Sequence, residues 1–329
     1  MGFTELPMQK DPVFERLIAL VGAVGKRNGS SAATLMIIRQ GQIVTEWYDG
    51  RQTLDRQSRV IQSDSRFNVY SVRKSYIGFA VSYALQQGYI HSLDDLVSRY
   101  LDEPTSLVLG QTTLRHLLTH THGLDGENGA LIRRFEPGEK WHYTNTGILL
   151  LNHLVEKVSG MTVSELLQRE VFTPQGLTDT GWCDKENDKL VHDVSAFRRQ
   201  APILLGSSHG DDRNLYVSTR DLAYWGWMHL TENPIFKRTI TVQTPESLDR
   251  HFPRQGFCWW VQTPSVRMSE IGSSVPENSA QIMGFSGCLC LIIPSFQVVA
   301  VRMYNSFGGR LTFVRDARNF GDRLMDCLQ

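Results

Sequence analysis

Ser71-Val72-Arg73-Lys74 is the only S-x-x-K in the chain, and its setting restricts the fold more than any other feature. Upstream, Ser65 to Tyr70 reads as a short extended approach. Downstream, Tyr76, Ile77, Phe79, Ala80, Tyr83 and Ala84 recur at helical spacing, so the tetrad opens a helix. Side chains three apart on a helix lie on one face, one turn apart, so Ser71 and Lys74 project together. The serine also lies near the positive end of the helix dipole. An amine in that position can take a serine's proton and make it nucleophilic without a histidine. Alone the tetrad is a weak signal, because serine is a common helix cap.

Two further motifs raise its weight. Tyr143-Thr144-Asn145 is the only Y-x-N; it follows the turn Glu136-Pro137-Gly138-Glu139 and precedes an apolar helix beginning near Ile148. Gly284-Phe285-Ser286-Gly287 leads straight into a strand, Cys288 to Ile293. In this order and context the three motifs resemble those of the serine β-lactamase and penicillin-binding protein superfamily. The branch they resemble holds class C β-lactamases, D-alanyl-D-alanine peptidases, family VIII carboxylesterases and nylon-oligomer hydrolases. Leu114 to Leu124 is similar to that family's LLTHTSGL segment, Phe135 to Tyr143 to its FxPGExFxYSN, Leu215 to Ala223 to its xxSTxxDLA, and Phe257 to Trp260 to its YGxGWW.

The periodicities set the order of elements. Asp11 to Lys26 reads as an amphipathic helix with Phe14, Leu17, Ile18, Val21 and Val24 on its apolar stripe. Ala32 to Arg39 and Ile43 to Tyr48 form a hairpin about Gln40-Gly41-Gln42. Ser71 to Asp179 reads as helical, interrupted at Pro104, Gly123, Pro137-Gly138 and Pro174. Strands return at Phe257 to Gln262, Gln281 to Gly284, Cys288 to Ile293 and Val298 to Tyr304, and Phe313 to Leu328 is a closing helix. The expected fold is α+β, of the β-lactamase/DD-peptidase type the resemblance implies. An antiparallel sheet flanked by helices (1–68 plus 200–329) carries an inserted, mainly helical domain (69–199), with the active site in the cleft between.

Composition excludes some function classes. Lys+Arg of 34 balances Asp+Glu of 34, which offers no charge excess to neutralise nucleic-acid phosphates. No apolar run approaches a membrane span of ~20 residues. Met1 to Leu6 shows no basic segment followed by an apolar core, and the five scattered cysteines lack C-x-x-C, so a reducing, cytoplasmic setting is expected. Cys288 and Cys290 share a strand face and are not expected to pair; all five cysteines read best as small buried residues.

The resemblance implies roles. Ser71 is the nucleophile, and Lys74 with Tyr143 handles its proton, although both have reference pKa values near 10 and one must be tuned down. Which of them holds the proton is left open by the sequence. Asn145 would bind the substrate and hold the Lys74 ammonium. Ser286 and Gly287 line the strand edge, and the backbone N–H groups of Ser71 and Cys288 bind the oxyanion. No cofactor and no metal is expected: His116, His120 and His122 lie close together without H-E-x-x-H. His122 and His142 sit near Tyr143 in sequence, with a structural role favoured for both. Trp141, Trp259 and Trp260 are candidates for an apolar pocket, each equally well explained as a core tryptophan.

One departure matters. The family's triplet is commonly K-T-G or H-x-G, and here it is Phe285-Ser286-Gly287. Phe285 cannot bind a substrate carboxylate, which favours a small neutral or apolar ester or amide. Arg302 is a candidate replacement cation, if strand alternation does not turn it away. The alternatives are a β-lactamase or D-amino-acid peptidase, and a relative that binds or scaffolds without catalysis. The loops 131–139 and 198–214 would shape the pocket walls.

Overall fold

The computed structural model describes residues 6–101, 106–127, 130–195, 202–264, 270–306 and 313–329. The segment 1–5, most of the stretch read for a leader, and residues 198–201 of the second pocket loop lie outside the described residues. The strands are β1 (Ala32–Arg39), β2 (Gln42–Gly50), β3 (Arg66–Asn68), β4 (Leu124–Glu127), β5 (Ala130–Arg133), β6 (Thr180–Trp182), β7 (Leu215–Ser218), β8 (Trp260–Val261), β9 (Ala280–Met283), β10 (Leu289–Ile293) and β11 (Val298–Tyr304). The helices are α1 (Glu15–Asn28), α2 (Arg73–Gln86), α3 (Ser106–Leu109), α4 (Leu114–Leu118), α5 (Thr146–Ser159), α6 (Val163–Leu167), α7 (Thr173–Gln175), α8 (Thr219–Met228), α9 (Pro234–Thr239) and α10 (Phe313–Leu328).

Six strands form one antiparallel sheet in the order β2-β1-β11-β10-β9-β8. N- and C-terminal segments meet where β1 pairs with β11, Met36 opposite Val301. The β1–β2 turn is tight because Gln40 and Gly41 both adopt positive φ, 50° and 76°, as two-residue hairpins with right-handed twist require.

Alternation along the strands sorts side chains into two cores. Leu35, Ile37, Leu289, Leu291, Val298 and Ala300 join Phe14, Leu17 and Val21 of the N-terminal segment and Phe320 and Leu324 of α10. Met36, Ile38, Cys288, Cys290, Val299 and Val301 face the other way and join Tyr76, Ile77 and Trp225. On that second side α8 covers the sheet. Helix α2 then packs on α8 through Tyr76 stacked on Trp225, ring centroids 4.0 Å apart. Every residue of α2 from Arg73 to Ala84 is buried, so the helix opened by the S-x-x-K tetrad is a central one, held from all sides.

The structure departs from the sequence reading in four places. The span from Ser71 to Asp179 is not helical throughout: β4 and β5 form a hairpin in it, too short and too polar for a clear two-residue period. The approach to Ser71 is extended as read, as strand β3, but it belongs to a second, three-stranded sheet, β3-β7-β6, rather than to the one sheet expected. The strand expected at Phe257 is confined to Trp260 and Val261, because Cys258 takes a positive φ of 64° that no strand accommodates. Finally, Arg302 faces the terminal helices. It is 2% exposed and its guanidinium is hydrogen-bonded to the Asp316 carboxylate of α10. It also lies over the rings of Tyr304 and Phe320, so it is not a cation for substrate.

All five cysteines are buried and free. Among the described residues no helix is long and apolar enough to cross a membrane.

Candidate active site

Strand β3 delivers the chain to Tyr70, which adopts φ 45° and lets Ser71 turn into the helix. A non-glycine residue there costs about 1–3 kcal/mol. Two hydrogen bonds hold it: the Tyr70 N–H donates to Asn68 Oδ1 at 2.9 Å, and its hydroxyl donates to Asp193 Oδ2 at 2.6 Å. His120 (φ 54°) and Cys258 (φ 64°) repeat the feature nearby. Strained backbone gathered around one serine is what an enforced site looks like.

One helical turn on, Lys74 Nζ lies 3.5 Å from Ser71 Oγ and 3.7 Å from the centroid of the Tyr143 ring. Burial drives the Lys74 amine down to about 7, and the neighbouring Arg73 charge pushes the same way. Tyr143 moves oppositely. Burial raises its phenol to about 12 even though a hydrogen bond with Ser71 pulls it back. The residue as a whole is 37% exposed and lines the cleft, while desolvation acts on its hydroxyl. Arg73 is itself 2% exposed, with no acceptor for its Nε.

Ser71, Lys74 and Tyr143 therefore meet, and the remaining expectations divide. Asn145 is exposed at the start of α5 and caps nothing with its side chain; no hydrogen bond joins it to Lys74 among the described residues. Gly284 to Cys288 is the turn joining β9 and β10, closed by Gly284 N–H to the Cys288 carbonyl at 2.8 Å and Gly287 N–H to the Gly284 carbonyl at 2.9 Å. Gly287 takes φ 91°, and at Gly284 a Cβ would fall 2.1 Å from the Val69 carbonyl oxygen. Glycine is thus what lets this turn lie against the segment leading to Ser71. Ser286, expected to face substrate, is buried, and its hydroxyl donates to the Asn68 carbonyl at 3.0 Å. It fastens the turn to β3. Among the described residues, the N–H groups of Ser71 and Cys288 have no backbone acceptor.

Of the histidines, it is His120 rather than His122 that packs on Tyr143, with ring centroids 4.5 Å apart. His120 is fully buried with both ring nitrogens unpaired, and burial together with Lys74 holds it well below its ordinary value, hence neutral. The sequence signal for it was only its place in the LLTHT-like segment. His122 accepts the Leu124 N–H on Nδ1 at 2.9 Å, His116 caps α4 with Thr113, and His142 is exposed.

A cavity of about 360 Å³ opens over Ser71 and Tyr143, walled by Trp141, Trp260, Met283, Phe285 and Phe313, with Glu270 at its side. Trp260 lies nearly parallel to Tyr143, 21° between planes and 6.2 Å between centroids. Trp141 packs on Trp260 at 5.2 Å and is anchored by its Nε1–H to Gln255 Oε1 at 3.1 Å. Trp259 faces the core against His229 and takes no part. Phe285 is 50% exposed and meets Tyr70 edge-on at 6.1 Å. Glu270 was not visible as a site residue in the sequence, since no motif contains it. Burial raises its carboxyl to about 7.

The chain belongs to the β-lactamase family, whose profile matches residues 17–321. It is 42% identical over 327 residues to an uncharacterized protein of Alkalihalophilus pseudofirmus, covering 96% of each chain. It is 26% identical to esterase EstB of Burkholderia gladioli over 225 residues, 56% of this chain and 54% of that one. Among solved structures, a class C β-lactamase superposes with a TM-score of 0.78 at 14% identity, covering 96% of each chain. EstCE1, a hydrolase with promiscuous acyltransferase activity, gives 0.76 at 18% identity, covering 94% of this chain and 98% of that one.

Proposed function

We propose that the protein is a serine hydrolase that cleaves a small ester or amide through an acyl-enzyme on Ser71. The observation that carries this is the Ser71 hydroxyl set between a buried amine near neutrality and a buried, protonated phenol. Neutral Lys74 takes the Ser71 proton as Oγ forms its bond to the substrate carbonyl carbon. The negative charge that develops on the carbonyl oxygen is met by the Ser71 and Cys288 N–H groups. As the tetrahedral intermediate collapses, Tyr143 protonates the leaving oxygen or nitrogen and is reprotonated from the Lys74 ammonium. Water then attacks the acyl-enzyme with the same two groups working in the same sense, and Ser71 recovers its proton. Splitting acyl transfer in this way replaces one hard step by two easier ones.

The pocket supports an apolar acyl or alcohol group, and Phe285 in place of a cation weighs against carboxylate-bearing substrates. The five free cysteines support a reducing compartment such as the cytoplasm. The test is p-nitrophenyl butyrate hydrolysis by wild type and Ser71→Ala, with circular dichroism to confirm that both are folded. Turnover that disappears in the variant is expected. Turnover that survives refutes the mechanism, and a stable acyl adduct without turnover would point to a binding relative.

A further inference from the structure

The cleft holds an unused group. Glu270 is a carboxylate in a pocket whose other walls are almost wholly aromatic. No hydrogen bond or ion pair engages its side chain among the described residues. The Arg318 charge pulls its pKa down without offsetting burial. Glu270 also lies close enough to Tyr143 to raise that phenol. Trp141, Trp260 and Tyr143 form an aromatic cluster lining the same cavity, with centroid separations of 5.2 to 6.2 Å.

Aromatic faces attract cations through their quadrupoles, tryptophan most strongly, within about 6 Å of the ring. A buried carboxylate beside them adds a full counter-charge in a low-dielectric wall. A carboxyl that is costly to ionise when the pocket is empty becomes favourable to ionise when a cation arrives. Two features weigh against a carboxylate-binding site: phenylalanine stands at 285 where a lysine would serve an anion, and a carboxylate, Glu270, lines the same cavity.

Resting on the hydrolase reading above, we propose that the substrate carries a cationic ammonium group, primary or quaternary, on its leaving or acyl side. Trp141, Trp260, Tyr143 and Glu270 hold that group while Ser71 attacks the carbonyl next to it.

The experiment compares butyrylcholine with its uncharged isostere 3,3-dimethylbutyl butyrate. The wild-type kcat/KM is expected to favour the cationic ester by at least about tenfold, and Glu270→Gln to reduce that preference by about tenfold or more. Binding is read separately, from quenching of tryptophan fluorescence by benzyltrimethylammonium in the Ser71→Ala protein, where turnover plays no part. A wild-type preference near or below one, or no binding of the ammonium probe, overturns the proposal and leaves the hydrolase reading intact. Glu270-dependent binding of the probe with no Ser71-dependent turnover of either ester sustains the cation site and sinks the hydrolase reading instead. The wild-type ratio needs no variant, so a poorly folding Glu270→Gln does not remove the test.

Discussion

Replacing Lys74 by methionine should stabilise the fold while ending turnover, and the gain should depend on pH. Lys74 is 1% exposed, and its amine falls from 10.5 to about 7, first through burial and then through Arg73. Its folded value lies below its unfolded one, so between these limits the unfolded chain binds the proton more tightly. Stability then rises with pH through the window, and the cost of burying the charge is complete only below it. At ~1.4 kcal/mol per tenfold, that cost is about 5 kcal/mol at pH 6 and roughly 1.5 kcal/mol at pH 9.5. Methionine has similar length and no charge, so it removes the cost while keeping most of the packing. Urea or thermal melts of wild type and Lys74→Met at the two pH values read the difference directly. The variant should gain clearly more stability at pH 6 than at pH 9.5. An equal gain at both, or a loss at pH 6, would refute burial as the cause of the lowered amine.

The same amine should set the pH–rate profile. The kcat/KM for a neutral ester is expected to rise through about pH 7 and to fall about tenfold per pH unit below it. No alkaline limb should appear before the protein itself fails, since the Tyr143 phenol lies near 12; an alkaline decline below pH 9 would contradict this. Arg302→Met should cost about 3–5 kcal/mol in urea melts, because it strands the buried Asp316 carboxylate, yet leave KM for a neutral ester unchanged. A raised KM would return Arg302 to the cleft. Phe285→Lys should fold normally, the site being half exposed, and should raise kcat/KM for a carboxylate-bearing ester over its methyl-capped analogue at least several-fold. An unchanged ratio would show that position 285 does not read substrate charge.

The meeting of Ser71, Lys74 and Tyr143 was legible in the sequence because it is tied to local geometry. A helix start fixes Ser71 against Lys74, and a turn before the next helix presents Tyr143. Strand alternation and helical periodicity were equally readable, which is why β10, β11 and α10 fall close to where those periods place them. What the sequence could not supply was the direction of groups whose roles depend on a distant partner. Ser286 was expected to face substrate, but the Asn68 carbonyl, 218 residues away in the chain, accepts its hydroxyl hydrogen bond. Arg302 could be placed on a strand but not on a face until Asp316 was seen beside it. Glu270 stood in no motif, and His120 stood in one that said nothing of its contact with Tyr143; only tertiary packing brings them to that ring. The β4–β5 hairpin was hidden because four-residue strands carry too little periodicity to stand out from the helices around them.

Lys74 and Tyr143 each begin near a reference pKa of 10, where neither is ready to act at neutral pH in the way acyl transfer requires. A lysine there is protonated and cannot accept the serine's proton. One physical cause corrects the pair. Desolvation disfavours whichever form is charged, so it lowers the amine and raises the phenol. The result is an amine that is in large part neutral near pH 7 beside a protonated phenol, the two states the proposed mechanism needs to take a proton from Ser71 and to give one to the leaving group. The walls that exclude water from the cleft are therefore part of the proton chemistry as well as of substrate binding. The aromatic lining at Trp141, Trp260 and Phe285 and the burial of α2 act on both at once. On this argument, opening the cleft by trimming Trp260 should return Lys74 toward its ordinary value and move the acid limb of the rate profile upward, even though Trp260 donates and accepts no proton in the reaction.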